Sequence, residues 1–320
     1  MSTPEALAIV GPTASGKTAL SIRVAELLHG EIISIDSRQV YRGMDIGTAK
    51  ATAAQRAAAV HHGLDLIGPD ERFSAGRFAR HAREWIEQIT AREHVPILVG
   101  GTGFFLRALT NPIFQEPTLD AERRSALQRV LERLDSDTLR RWITALDPNL
   151  ANSFQGGHGG RQRLLRAIEL PLLTGRPLSW WHAHAPPEAP PLRPLVFVLN
   201  PPRERLDAAI NRRVDDMMAA GLLDEVRTLL AAGYNARDPG LNATGYAELI
   251  PVLIDGASVE DAADLIRKNT RAYARRQITW FRHQLPDGAV WLDGERDSEE
   301  LAAVVVTRWE HENRKEQRSI

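Results

Sequence analysis

The sequence contains no cysteine, which excludes disulfide bonds, thiolate zinc sites and cysteine nucleophiles and is what a reducing compartment permits. An excess of one charge is also missing. Forty basic residues against 41 acidic ones leave a net charge of −1, so the molecule as a whole does not advertise a polyanionic partner. Lysine is scarce, limited to Lys17, Lys50, Lys268 and Lys315. The arginine excess suits phosphate contacts and base stacking, although a GC-rich genome produces the same imbalance, and composition alone favours that plainer account. No apolar run approaches the roughly 20 residues of a membrane span, so no membrane partner is expected. The first apolar run starts by about residue 6, which leaves no room for a removable leader, and the cytoplasm is the expected location.

What is present suffices for one large core and a second, smaller unit: 320 residues, 43% of them hydrophobic,. Directly after the apolar run Leu7-Ala8-Ile9-Val10 come Gly11, Pro12, Thr13, Ala14, Ser15, Gly16, Lys17 and Thr18. This G-x-x-x-x-G-K-T pattern between a strand and a helix is a phosphate cradle. Its glycines let consecutive backbone N–H groups turn toward one anion, and Lys17 adds a point charge. The Thr18 hydroxyl can reach a Mg²⁺ bound to that anion, and a helix starting near Gly16 aims its positive dipole end at the same place.

Strand-like runs at 7–10, 31–35, 96–99, 195–199 and 289–292 alternate with helix-period stretches. That alternation predicts an α/β fold, a P-loop parallel sheet core with helices on both faces. Residues from about 114 to 192 carry only helical pattern, including 120–134, 136–146 and 161–174. They predict an inserted all-helical domain, with 1–113 and 193–320 forming the catalytic core. Asn111-Pro112 and the proline-rich stretch 186–191 mark its ends, and the glycine tract 156–160 reads as a loop.

In such sheets ligands meet the residues just after the carboxyl ends of the strands. Asp36-Ser37-Arg38-Gln39 follows the second strand, Gly100-Gly101-Thr102-Gly103 the third, and Asn200 the fourth. Asp36 is placed to ligate a metal or accept a proton from a nucleophile, or to cap the next helix. Neither the third nor the fourth strand ends in the carboxylate with which ordinary P-loop NTPases hold Mg²⁺, so the loop is expected to bind a diphosphate without running an ATPase cycle.

Near the C-terminus, Arg267, Arg271, Arg275 and Arg282 fall on one face of a helix interleaved with Tyr273, Trp280 and Phe281. Like charges at this spacing repel by a few tenths of a kcal/mol, and a bound nucleic acid would relieve the repulsion. The aromatics read as core packing. The pairs His61-His62 and His182 with His184 lack the carboxylates or cysteines that would complete a metal site.

Taken together, these motifs resemble the tRNA dimethylallyltransferases. The resemblance rests on Gly11 to Thr18, on Asp36 to Tyr41 continuing to Gly43 to Lys50, and on Gly100 to Gly103. It continues through Arg213-Val214 to Gly221-Leu222, Gly245-Tyr246 and Arg275 to Arg282. It implies transfer of a dimethylallyl group from dimethylallyl diphosphate to N6 of the adenosine just 3′ of the anticodon, with Mg²⁺ as cofactor. Gly11 to Thr18 would hold the diphosphate, with the metal on Thr18. Asp36 would be the general base, and Thr102 and Arg213 would assist at the reacting centre. The positions implied to contact the anticodon stem-loop of tRNA are Asp36, Ser37, Arg38, Gln39, Thr102, Arg124, Gln162, Arg163, Arg275, Arg276, Gln277, Trp280 and Arg282. The helical insert would be the clamp, and a monomer is expected. The sequence departs from the family at 157–160, where Gly-His-Gly-Gly stands in place of His-Pro-Asn-Asp, so Gly160 is not carried over as a contact.

Two other readings stay open on the sequence. A P-loop nucleotide kinase would bind and consume ATP, and a non-catalytic tRNA-binding module would not depend on Asp36.

Overall fold

A computed structural model describes residues 4–112, 114–115, 117–157 and 160–317. Six strands form one parallel sheet: β1 (Ala6–Val10), β2 (Gly30–Ser34), β3 (His61–His62), β4 (Val95–Gly100), β5 (Pro194–Asn200) and β6 (Val290–Asp293). Their spatial order is β3-β2-β4-β1-β5-β6. The five expected strands are all there, and β3 is an addition: two histidines paired with Ile32 and Ile33 at the sheet's edge.

Because helices cover both faces, the inner strands read as continuous apolar runs. In β1 every residue is buried. Ala6, Ala8 and Val10 belong to one core, with Phe78, Phe105, Tyr246 and Phe281. Leu7 and Ile9 belong to the other, with Leu20, Val24, Leu301 and Val305. The period of two thus sends alternate side chains of one strand into two cores. The helices Ala75–Ala91, Gly103–Thr110, Leu222–Ala231 and Val259–Gln284 supply the first core. The helices Lys17–Leu28 and Ser298–Gln317 supply the second.

The chain leaves β1 for β2 on one side and crosses from β4 over β1 to β5 on the other. The strand order therefore reverses beside β1, and the crevice at its carboxyl end, between Gly11 and Gly101, is where such sheets bind ligands.

Contacts divide the chain into two units, one of residues 1–111 with 191–320 and one of Pro112–Pro190. The second is helical: Ala121–Leu131, Ser136–Leu146, Arg161–Thr174 and Leu178–His184 gather around Leu131, Leu139, Ile143, Leu164 and Ile168. Asp120 and Asp135 cap two of these helices through N–H groups at Arg123 and Thr138,. The fully buried Asp147 accepts from the Ser179 amide and hydroxyl and from the Leu150 amide, which offsets the cost of burying a carboxylate. In the glycine tract a 3₁₀ turn covers Asn152–Gly157, while His158 and Gly159 lie outside the described residues.

Candidate active site

The phosphate loop follows β1 and opens the helix Lys17–Leu28. Ala14 (φ 61°) and Gly16 (φ 92°) both take left-handed conformations, the kind of alternation that turns successive amides toward one anion. At Ala14 this geometry is strained, and it persists only where the surroundings hold it. The Lys17 ammonium folds back on the loop and donates to the Pro12 carbonyl and the Ser15 hydroxyl.

Across the crevice lies a cavity of about 390 Å³, lined among others by Thr13, Lys17, Thr18, Asp36, Arg213 and Tyr273. A second cavity of about 270 Å³ shares Lys17, Thr18 and Arg213 with it. Arg213 comes from the helix Arg203–Ala219, and Met217, one turn later, enters the same cavity wall,. Burial and the neighbouring Arg213 push the Lys17 ammonium down to about 7, against the opposing pull of Asp36. Arg213 is likewise lowered by burial while Asp36 raises it. Two cations and one carboxylate thus face one space, which leaves a positive excess suited to an anion.

Asp36 does not cap a helix. Its Oδ1 accepts from the Arg38 amide at 2.8 Å, an Asx turn that fixes the carboxylate at the cavity wall. Thr102 stands beside it: its hydroxyl accepts from the Ser37 amide at 3.0 Å and donates to the Ser37 hydroxyl at 3.2 Å. Burial, and after it the Asp36 charge, push the Tyr273 phenol up to about 12, with neighbouring Thr102 pulling the other way. The phenol therefore stays protonated at neutral pH. Sequence reasoning assigned Tyr273 to packing; its spacing of four residues from Gln277 on one helix face is the signal that links it to the cavity.

The positions implied to touch tRNA divide into three kinds. Arg275, Arg276 and Arg282 are exposed on the helix Val259–Gln284, with half-buried Trp280 between them. Arg276 also lies over the Tyr273 ring, 5.8 Å from its centre. In the helical unit, Gln162 and Arg163 are exposed at a helix start, and Arg124 is ion-paired to the buried Glu169.

The remaining polar positions make hydrogen bonds within the protein, and Arg38, Gln39 and Gln277 also line the cavity. Gln39 donates to the Thr48 and Ala49 carbonyls and accepts from the Ser34 hydroxyl. Arg38 donates to the Pro239 carbonyl and Asn242, which ties down the segment whose Asn242, Ala243 and Thr244 line the cavity. Gln277, only 6% exposed, donates from Nε2 to the Gly101 carbonyl and accepts from the Thr13 amide, both at 2.9 Å.

The expected arginine face is also narrower than its spacing implied. Arg267 pairs with Asp215 and Asp264, and Arg271 donates to Asn211. His62 bonds to buried Glu31 at 2.7 Å, which Arg92 and His94 also reach. No group of three or more metal-binding side chains occurs among the described residues. A Mg²⁺ ion would therefore rest on few protein oxygens, of which Thr18 and Asp36 line the same cavity. That sparse donor set fits an ion that keeps its waters and takes substrate phosphate oxygens.

Residues 39–284 match a family model described as IPP transferase, and residues 4–61 one described as isopentenyl transferase. A tRNA dimethylallyltransferase of Roseiflexus sp. (strain RS-1) is 42% identical over 305 residues, covering 95% of this chain and 98% of that protein. One from Pelobacter propionicus is 41% identical over 290 residues, 91% of this chain and 93% of the relative. Among solved structures, the full-length tRNA isopentenylpyrophosphate transferase of Bacillus halodurans aligns with a TM-score of 0.69 at 34% identity, over 98% of this chain and 99% of that one. A eukaryotic dimethylallyltransferase acting on tRNA aligns with a TM-score of 0.78 at 28% identity, over 92% of this chain and 74% of that one.

Proposed function

This chain belongs to the IPP transferase family, and from that membership we propose that it moves a dimethylallyl group from dimethylallyl diphosphate to N6 of the adenosine 3′-adjacent to the anticodon of tRNA, releasing diphosphate. The observation that carries this reading is one cavity whose lining brings together Lys17, Thr18 and Arg213 of the phosphate side with Asp36, Arg276 and Tyr273.

The bond that forms joins N6 to the first carbon of the allyl group; the bond that breaks is from that carbon to the diphosphate oxygen, which takes the electron pair. Lys17 and Arg213 neutralise the leaving diphosphate, lowering the barrier where charge develops. The exocyclic amine is a weak nucleophile, and the Asp36 carboxylate, held by the Arg38 amide, takes its proton. Thr18 would hold Mg²⁺, which adds charge neutralisation at the diphosphate when bound. The base must leave its stack to enter the cavity, and exposed Arg275, Arg276 and Arg282 suit the flanking phosphates. Arg124, Gln162 and Arg163 of the helical unit would grip the stem. No helix among the described residues is long and apolar enough to cross a membrane.

The test incubates the protein with tRNA and labelled dimethylallyl diphosphate, with γ-labelled ATP in a parallel reaction. N6-isopentenyladenosine on tRNA with intact ATP is the expected outcome; ATP turnover without prenyl transfer would identify a kinase instead. Asp36→Asn keeps an oxygen for the Arg38 amide and loses the base, so turnover falls about 10² or more while tRNA binding is retained. Unchanged turnover would remove Asp36 from the chemistry.

A further inference from the structure

Gln277 bridges two loops that the sequence separates by almost 90 residues and that the reaction needs at a fixed spacing. Its Oε1 accepts from the Thr13 amide of the phosphate loop, and its Nε2 donates to the Gly101 carbonyl of the turn after β4. The turn continues into Thr102, whose hydroxyl accepts from the Ser37 amide beside Asp36. An unbroken chain of bonds therefore runs from the donor loop through Gln277 and Thr102 to the segment that carries the carboxylate. The Thr13 amide donates to Gln277, so the bond holds the loop one residue ahead of the strained Ala14,. Gly101 has no room for a side chain: a Cβ there would collide with the Gln277 amide. The same helix presents Arg276 and Arg282 on its exposed side.

Resting on the function proposed above, we propose that Gln277 is a positioning residue, which locks the diphosphate loop to the Gly101–Thr102 turn and so sets the leaving group against the Asp36 base, rather than a contact to tRNA. An apolar side chain of similar length leaves the part-buried Thr13 N–H and the buried Gly101 carbonyl without these partners, which loosens both loops at once,.

The experiment compares the whole protein with Gln277→Met and, independently, with Gly101→Ala, which leaves Gln277 intact and displaces it. Steady-state kinetics with varied donor, inorganic diphosphate titrations and tRNA binding without donor are measured on each. The expected result is a fall of about tenfold or more in kcat/KM for the donor and a similar loss in diphosphate affinity. The tRNA dissociation constant stays within about twofold, and the two substitutions combined cost less than the product of their separate effects. Weaker tRNA binding with unchanged donor kinetics overturns the proposal in favour of a direct tRNA contact. A lower melting temperature with unchanged kinetics overturns it in favour of a purely structural role. A wild-type protein that transfers no prenyl group would instead sink the functional reading, so the two failures are distinguishable. If Gln277→Met does not fold, Gly101→Ala alone decides.

Discussion

Lys17 and Arg213 line the same cavity walls at the phosphate loop, where burial first and the Arg213 charge second lower the proton affinity of Lys17, with Asp36 the opposing charge. The two cations repel one another, and an anion between them is favourable because bound diphosphate offsets both at once.

A pH dependence follows from the Lys17 value of about 7, against 10.5 in an exposed chain. Between these pH values the unfolded chain holds one proton more at this site, so its contribution to stability rises with pH over that window. Donor binding works the other way, since diphosphate favours the charged ammonium. Calorimetry at pH 8 in two buffers of different ionisation enthalpy is expected to show uptake of close to one proton on diphosphate binding. Affinity should weaken up to about tenfold per pH unit above 7. Lys17→Met should abolish the uptake, and release of protons in the wild type would contradict the assignment.

The arginines of the helix Val259–Gln284 should separate into two groups. Arg276→Ala and Arg282→Ala remove exposed cations, so each should weaken tRNA binding and reduce the slope of log affinity against log salt by about one. Arg267→Ala removes a residue already paired with Asp215 and Asp264. It should leave the slope unchanged and alter stability by no more than about 1 kcal/mol. Filter binding across a salt series reads both, and an equal slope change at Arg267 would refute the division.

Glu31 is the second residue of β2, at the end away from Asp36, and is almost fully buried. Burial pulls its pKa up, but hydrogen bonds from Arg92, His62 and His94 outweigh that and hold it down to about 2. A carboxylate lowered in the folded state contributes its full stability above the ordinary value near 4.5, and that contribution is lost as pH falls toward 2. Glu31→Gln should cost about 2 kcal/mol at pH 7 and flatten the stability curve between pH 4.5 and 2. Urea unfolding across that range measures it, and a variant as stable as wild type at pH 7 would count against the network.

The inner strands were readable because a strand covered on both faces must be apolar throughout, as Leu7 to Val10 and Ile97 to Val99 are. β3 was not, since His61 and His62 carry no apolar signal and become a strand only by pairing with β2. The phosphate loop was readable because its backbone geometry demands glycine and lysine at fixed spacing. The helix spacing of Arg267 and Arg271 was equally plain, but their partners Asp215 and Asn211 lie on another helix more than 50 residues away, and no local pattern announces such a pair.

The sequence by itself determined the local chemistry: a strand, a phosphate-binding turn and a helix start at Gly11 to Thr18, a carboxylate after β2, and a basic helix near the C-terminus. Those features depend on backbone preferences and periodicity, which neighbouring residues settle among themselves. Tertiary structure decided which polar groups remain available. Gln39 and Gln277, implied to touch tRNA, also bond to backbone carbonyls within the fold, while Tyr273 is brought to the wall that Asp36 occupies. Long-range packing chooses the partner of a buried polar group, because such a group left without one costs more than most local preferences.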